Sequence, residues 1–247
     1  MAPQTVFKRY ELKYLLTLEQ KERVLAAMEP YMGLDKYGRT TIRNLYYDTD
    51  TYLLIRRSIE RPVYKEKLRL RSYSRAMPED RVFVELKKKF DRVVYKRRLP
   101  LGYHQAEKWL AGEDTPQSQT QIGREIDYFK QLYGTLRPTV FLSYERQAYY
   151  ALDGTDFRVT FDDNILCRRE DLSLSAEVYG APLLPDNKVL MEIKCSGGIP
   201  LWMTKALSEE RIYKTAFSKY GAAYKTLIFP EDHTTNSYNM LEVTANA

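Results

Sequence analysis

One stretch of the chain places four basic side chains on the same face of a predicted strand. Over residues 64–73, Lys65, Lys67, Arg69 and Arg71 fall at alternate positions, and the side chains of a strand point to opposite faces with a period of two. Like charges placed together on a sheet repel one another unless an anion lies among them. The pattern therefore predicts a face that binds an anion carrying several charges.

The charged faces of the other predicted strands have the same bias, with twelve basic side chains and four acidic ones in all. The basic residues are Arg9, Lys13, Lys65, Lys67, Arg69, Arg71, Lys87, Lys96, Arg98, Arg146, Arg158 and Lys194, and the acidic residues are Glu11, Glu85, Asp162 and Glu192. Such a face often contacts water. Here the opposite faces are apolar and would pack against helices, so a barrel would turn the charged face inward. An inward ring of Lys and Arg is costly to desolvate unless it is hydrated or paired with anions, and polyphosphate suits it.

The few acids on this face suit a different task. Carboxylates bind hard divalent cations such as Mg²⁺ or Mn²⁺, which bridge phosphate oxygens and neutralise charge at a transferred phosphoryl group. In the stretch 189–194, Glu192 and Lys194 lie opposite an apolar face, before Gly197 and Gly198 end the strand. Asp162 fits a second metal ligand, a general base or a partner in local hydrogen bonds.

The elements that must position these residues are eight predicted strands joined by hairpin-like turns, which favour an antiparallel barrel or sandwich. The predicted strands cover residues 5–14, 41–47, 64–73, 82–90, 93–99, 139–149, 157–162 and 189–196. Helices are predicted from a cap at Thr17 to about 30–33, and over 48–59, 104–111, 121–132 and 203–220. We expect a single domain over residues 1–247, with a core at about 5–228 and a flexible tail at 230–247.

The composition limits the classes of function. The 247 residues carry a net charge of +6, which is moderately basic and fits an anionic partner. Only Cys167 and Cys195 and two histidines, His104 and His233, are present, so a zinc site or a disulfide framework is not expected. No run of 18 apolar residues occurs. We therefore expect a cytoplasmic protein that does not insert directly into a membrane.

Nine short motifs occur in an order that resembles one known family. They are RYELKY at 9–14, RNLYYDT at 43–49, KLRLRSY at 67–73, VFVELKKK at 82–89, VYKRRLPL at 94–101, YERQAY at 144–149, FRVTFDDNI at 157–165, VLMEIK at 189–194 and FSKYGAAY at 217–224. The series resembles the VTC domain, the catalytic domain of the yeast vacuolar transporter chaperone complex, in the CYTH-like superfamily of triphosphate tunnel metalloenzymes. The ExExK signature of the adenylate cyclase branch is absent, because Glu11 is followed by Lys13.

The resemblance implies an α+β fold: an eight-stranded antiparallel β-barrel with helices packed on the outside and phosphates bound in its lumen. It implies a divalent metal ion, Mn²⁺ or Mg²⁺, held by Glu192 and, with it, Glu11 and Glu85. Carried over to matching positions, the residues implied to bind phosphates are Lys67, Arg69, Arg71, Lys87, Arg146, Arg158, Lys194 and Lys219. Of these, the residues implied to act in catalysis are Arg69, Arg71, Lys87, Arg146, Arg158 and Lys194.

The activity that the resemblance implies is a polyphosphate polymerase, which transfers the γ-phosphate of ATP to a growing chain. A tunnel triphosphatase acting on inorganic triphosphate or a nucleotide, and a non-catalytic module that binds polyphosphate or nucleotide, are alternatives. Expected partners are ATP or another triphosphate, polyphosphate, and orthophosphate or pyrophosphate. Nucleic acid is not expected, because the tyrosines lie largely outside the basic rows, where they could not stack on bases among the cations.

Overall fold

The computed structural model describes residues 10–91, 93–113 and 120–229. Within these residues the chain forms nine strands. They are β1 (Tyr10–Thr17), β2 (Met32–Asp48), β3 (Tyr64–Ser72), β4 (Arg81–Phe90), β5 (Val93–Gly102), β6 (Arg137–Ala151), β7 (Arg158–Arg168), β8 (Ala181–Pro182) and β9 (Lys188–Cys195). The predicted phosphate-binding residue Arg9 and the predicted tail lie outside the described residues.

Six α-helices accompany the strands in the described part of the chain. They are α1 (Leu18–Met28), α2 (Leu53–Ile59), α3 (Tyr103–Ala111), α4 (Gln121–Tyr133), α5 (Leu201–Glu209) and α6 (Lys219–Ala223), which continues into a π-helical turn, Tyr224–Ile228. Thr17 caps α1 as predicted, and its hydroxyl accepts a hydrogen bond from the backbone of Gln20. None of the helices described is long and apolar enough to cross a membrane.

The strands form one antiparallel sheet in the order β1-β9-β7-β6-β2-β3-β4-β5, with β8 paired to β7. The α+β class is therefore confirmed, but the prediction of a closed eight-stranded barrel is wrong, because no backbone pairing joins β1 to β5 within the described residues. Turn signals predict which consecutive strands pair and carry no information on whether the first and last strands meet. Side chains reach across instead: Lys87 Nζ of β4 lies 3.0 Å from a carboxylate oxygen of Glu11 in β1.

Two hydrophobic clusters cover the outer face of the curled sheet. Leu68 and Val84 pack with Trp109 of α3 and Phe129 of α4. On the other side of the molecule, the apolar residues of β1, β7 and β9 pack with α1 and α5 in a second cluster that includes Met191. The apolar sets predicted from alternation thus face the helices, which leaves the charged sets on the inner face.

A third cluster lies on the inner face itself, at one end of the sheet. There Tyr46, Leu142 and Leu190 pack against Ile55 of α2 and Tyr220 of α6. The prediction that the helices pack on the outside is therefore wrong for α2 and α6. The reason lies in the strands, whose inward positions change from charged to apolar residues at this end.

The predicted helix over residues 203–220 is wrong in its middle. The helix α5 ends at Glu209, and Arg211 follows with a positive φ of 52°. The chain then runs beside β1, where the backbone N–H of Thr215 donates to the carbonyl of Lys13 at 2.7 Å. These bonds to a sheet edge replace helical ones, and the chain re-enters a helix only at Lys219. This break brings α6 to the inner face.

Candidate phosphate-binding site on the inner face

The inner face carries nearly every residue that the sequence predicts for the site. Among the predicted site residues that the structure describes, twelve basic side chains and four carboxylates lie there. The basic residues are Lys13, Lys65, Lys67, Arg69, Arg71, Lys87, Lys96, Arg98, Arg146, Arg158, Lys194 and Lys219, and the carboxylates are Glu11, Glu85, Asp162 and Glu192. The carboxylates divide these cations into three groups.

Glu85 is the centre of the first group. Its carboxylate is 1% exposed and lies 2.7 Å from both Arg69 Nη2 and Lys96 Nζ. Arg98 Nε donates to it at 2.6 Å, and Arg71 Nε lies 3.8 Å away. Burial would raise the pKa of Glu85, but the four cations outweigh burial and hold the pKa well below its usual range. Glu85 of β4 is therefore a buried anion that allows basic residues of two strands, β3 and β5, to pack together.

Asp162 is the centre of the second group and is fully buried. Arg146 donates two hydrogen bonds to it, at 2.6 and 2.7 Å, and Lys219 Nζ donates a third at 2.5 Å. Burial would raise the pKa of Asp162, and Arg146 followed by Lys219 lowers it overall. Of the three roles open from the sequence, a hydrogen-bonded ion-pair partner describes the geometry, although its partners are distant in sequence rather than local.

Glu192 is paired more loosely than the other two buried carboxylates. Its nearest cations are Lys194, Lys13, Lys219 and Arg146, at 3.4, 3.5, 3.5 and 3.8 Å. Burial would raise the pKa of Glu192, but Lys219 and the other cations hold it well below its usual range. This carboxylate is thus charged, only 8% exposed, and surrounded by cations that lie beyond normal hydrogen-bond distance. The carboxylate of Glu11, in contrast, lies within hydrogen-bond distance of a cation, because Lys87 Nζ is 3.0 Å from it.

Glu11 and Glu192 belong to adjacent strands. Glu11 is opposite Lys194 in the ladder between β1 and β9, and Lys13 is opposite Glu192. Burial, the largest influence, raises the pKa of Glu11, and Lys87 together with Lys194 and Lys13 lowers it overall. The charge of Glu192 also raises this pKa, so the two carboxylates are close enough to interact. Glu11 and Glu192 are therefore the pair of neighbouring carboxylates in the site.

The three glutamates predicted as metal ligands are not brought together. The described residues contain no cluster of three or more carboxylate, thiol or imidazole groups that could hold a metal ion. Glu85 has its own four cations, none of which contacts Glu11 or Glu192. The pair Glu11 and Glu192 still fits Mg²⁺ or Mn²⁺, because such ions are usually bound by one or two carboxylates together with water and substrate phosphates.

Several cations on this face have no acidic partner in the part of the chain that the structure describes. Lys67 Nζ donates to the hydroxyl of Ser218 at 2.9 Å, and no described carboxylate lies within ion-pair distance of it. Burial, with Lys87 and Lys13 next in effect, lowers the pKa of Lys67 to about 7. Arg158, opposite Lys194 in the sheet, is exposed and has no ion pair with a described residue. These side chains have capacity for an anion that the protein does not supply.

Neutral side chains that the sequence did not single out hold the guanidinium groups in place. Arg71 donates from Nε to Asn44 at 2.9 Å and from Nη2 to Tyr144 at 3.0 Å. Arg69 donates from Nη1 to the hydroxyl of Tyr46 at 3.1 Å. Asn44 and Tyr46 share one face of β2, so alternation within that strand was the signal that could have found them. Tyr46 also stacks on Tyr220, so it combines packing with hydrogen bonding.

The fold resembles solved structures of low sequence identity. One is a candidate adenylate cyclase from Bacillus halodurans, with 15% identity and a TM-score of 0.54 over 87% of this chain and 96% of that one. Another is an adenylyl cyclase candidate from Hippeastrum with a dominant triphosphatase activity, at 14% identity and a TM-score of 0.50 over 88% and 95% of the two chains. A comparison with curated proteins found no match.

The family model of the VTC domain matches residues 8–228, which include all strands and helices described above. This match and the basic inner face agree with the series of motifs in the sequence. The chain belongs to the VTC domain family.

Proposed function

We propose that this protein is a metal-dependent polyphosphate polymerase, which transfers the γ-phosphate of ATP to the end of a polyphosphate chain. The observation that carries the proposal is the excess of basic side chains over carboxylates among the described site residues of the inner face, twelve against four. Cations held this close together repel one another, and a ligand with several negative charges relieves the repulsion. A triphosphate and a polyphosphate chain are such ligands.

The proposed reaction depends on positioning and charge. Phosphoryl transfer proceeds through a transition state whose charge spreads over the equatorial oxygens, and fixed cations stabilise it without reorganising. Arg69, Arg71 and Arg146 are already oriented by Glu85, Asn44, Tyr144 and Asp162. Their guanidinium groups would hold the phosphates in line for attack, while the unpartnered Lys67 and Arg158 would bind further oxygens.

A phosphate rather than water is favoured as the acceptor because none of the four carboxylates described on this face is a good general base, and Lys67, whose pKa is lowered to about 7, would be protonated beside bound phosphate. A base works best with a pKa near the operating pH. The cations lower the pKa of all four carboxylates, Glu11, Glu85, Asp162 and Glu192, below their usual values. The end of a polyphosphate chain is ionised at neutral pH and needs no base to attack.

The divalent metal ion of the proposal would be held by Glu192 and Glu11. When bound, it would polarise phosphoryl oxygens and neutralise part of their charge. The neighbouring ammonium groups of Lys13 and Lys194 would then turn from the carboxylates towards phosphate oxygens, because the metal supplies the positive charge that they now provide.

A tunnel triphosphatase is the second candidate. The structurally similar Hippeastrum protein has a dominant triphosphatase activity. The same basic face could bind the triphosphate, with water in place of the chain end.

Incubation of the purified protein with ATP and Mn²⁺ or Mg²⁺, followed by electrophoresis of the products, tests the proposal. Long-chain polyphosphate is expected. Orthophosphate without any chain would reject the polymerase in favour of the triphosphatase, and tight binding without turnover would reject both. Glu192→Gln should abolish turnover. The matched control is Glu66→Gln, which changes a buried carboxylate on the outer face that bonds to tyrosines and should retain activity.

A further inference from the structure

The inner face of β3, β4 and β5 is built of cross-strand rows. In the first row, Glu85 of β4 lies opposite Arg69 of β3 and Arg98 of β5. Its carboxylate contacts both guanidinium groups, so the row is neutralised in part by its own central residue. Successive residues on one face of a strand are about 7 Å apart, and that is the spacing to the next row.

The second row consists of lysines. Lys87 lies opposite Lys67 on one side and opposite Lys96 on the other. Like charges directly opposite each other destabilise a pair of strands. The row itself contains no acid, and relief comes from outside it, through Glu11 at Lys87 and Glu85 at Lys96.

The third row lies at the end of β3 beside α2 and is the least neutralised. Lys65 is opposite Lys89, and its Nζ donates to the carbonyl of Ser58 at 3.1 Å. Lys65 and Lys89 are therefore cross-strand neighbours, and Arg61 lies four residues before Lys65 in the chain. In agreement with this placement, burial lowers the pKa of Lys65, followed in effect by Lys89 and Arg61. Within the described residues neither Lys89 nor Arg61 has an ion pair or hydrogen bond through its side chain.

The residue before Lys89 is a lysine that has acidic partners. Lys88 points to the outer face and lies 3.8 Å from carboxylate oxygens of both Glu66 and Glu125. Lys89 therefore differs from its neighbour in having no acid to pair with among the described residues.

We propose that Lys89 and Arg61 bind the part of a polyphosphate chain that extends beyond the phosphates held at the Arg69 row. The inference rests on the proposed function for its ligand and adds a path along which a long chain leaves the site. A triphosphate held at the first two rows has no phosphates left to reach the third, whereas a long chain contacts all three. The two residues thus favour long chains over short ones.

The test compares two ligands by calorimetric titration, without turnover. In the double variant Lys89→Gln, Arg61→Gln, affinity for long-chain polyphosphate should fall about tenfold, while affinity for tripolyphosphate should change less than about twofold. The slope of log affinity for the long chain against log salt should decrease by about 1 to 2, as expected when contacts to a polyanion are lost. Lys88→Gln is the matched control and should change neither affinity.

An equal loss of affinity for both ligands would overturn the inference, because it would indicate a general electrostatic effect. No loss for the long chain, or a wild-type protein that does not bind it, would also overturn it. A selective loss in a protein that forms no polyphosphate from ATP would support the path and reject the polymerase, so the two proposals fail separately.

Discussion

Lys219 and Asp162 form a buried ion pair, with Nζ and Oδ2 2.5 Å apart. Lys219 opens α6, and Asp162 belongs to β7, so the pair joins the helix to the inner face of the sheet. The same ammonium lies 3.5 Å from Glu192. One side chain therefore fixes the helix and lowers the pKa of the proposed metal ligand.

Lys219→Met should destabilise the protein and lower its activity. The substitution leaves Asp162 buried with Arg146 as its remaining cation and takes from Glu192 one of its four. Removal of one partner of a buried ion pair costs about 3 kcal/mol, and we expect a loss of this size in urea unfolding. Lys225→Met, at an exposed position of the following turn, should change stability by less than about 0.5 kcal/mol. Equal stability of the two variants would contradict the role of the ion pair.

Glu85→Gln should make the protein dependent on an added anion. The amide keeps the volume of the side chain, but Arg69, Lys96 and Arg98 lose the charge that holds them together. We expect a lower melting temperature, especially in low salt, and a larger stabilisation by tripolyphosphate than in the wild type. Glu66→Gln is the control, because its carboxylate lies outside the site. A tripolyphosphate effect no larger than in that control would refute the explanation.

The lowered pKa of Lys67 should give ligand binding a pH dependence. Its pKa is about 7 in the folded protein against an ordinary value of 10.5. Between these values the unfolded chain binds more protons, so this group makes the free energy of unfolding rise with pH. A phosphate favours the charged ammonium, so binding takes up a proton and affinity for tripolyphosphate should fall as pH rises from about 7 to about 9.

Lys67→Arg separates this effect from the titration of the ligand itself. A guanidinium group stays protonated over the whole range, so the variant should show a flatter dependence of affinity on pH. Calorimetric titrations of both proteins at matched ionic strength would measure the difference. Identical slopes would show that Lys67 does not titrate on binding.

Removal of divalent metal should affect turnover and leave the fold intact. The described residues contain no cluster of three or more metal-binding side chains, and the buried carboxylates already have basic partners. A chelator should therefore abolish product formation from ATP without changing the melting temperature of the ligand-free protein. Activity should return on addition of Mn²⁺ or Mg²⁺. A large fall in melting temperature with the chelator would instead indicate a structural metal.

The rows of charge could be predicted from the sequence because strand alternation is a local property. The shared face of Lys65, Lys67, Arg69 and Arg71 follows from their spacing alone. Which carboxylate they contact does not, because Glu85 reaches Arg69 through the register of two strands. The ion pair of Asp162 depends in addition on a helix more than fifty residues away in sequence.

The position of α6 was the largest gap between sequence and structure. The segment 203–220 has residues compatible with one continuous helix, and local propensity does not register a competing sheet edge. The backbone hydrogen bond from Thr215 to Lys13 of β1 stabilises an extended segment here in place of a helical one. Lys219 was carried over as a phosphate-binding residue from the family resemblance, and the break in the helix explains how its side chain reaches the inner face.

Residues 214 and 215 pair with β1 at Tyr14 and Lys13, but within the described residues no backbone pairing joins β1 to β5, which has a consequence for how a polymer enters. In a barrel closed by backbone hydrogen bonds, a long chain must be threaded from one end. Between the described parts of these two strands there is no ladder to break, and the contact of Glu11 with Lys87 is made by side chains that can exchange partners. A polyphosphate could therefore enter between β1 and β5 with a middle segment first, without being threaded from one end.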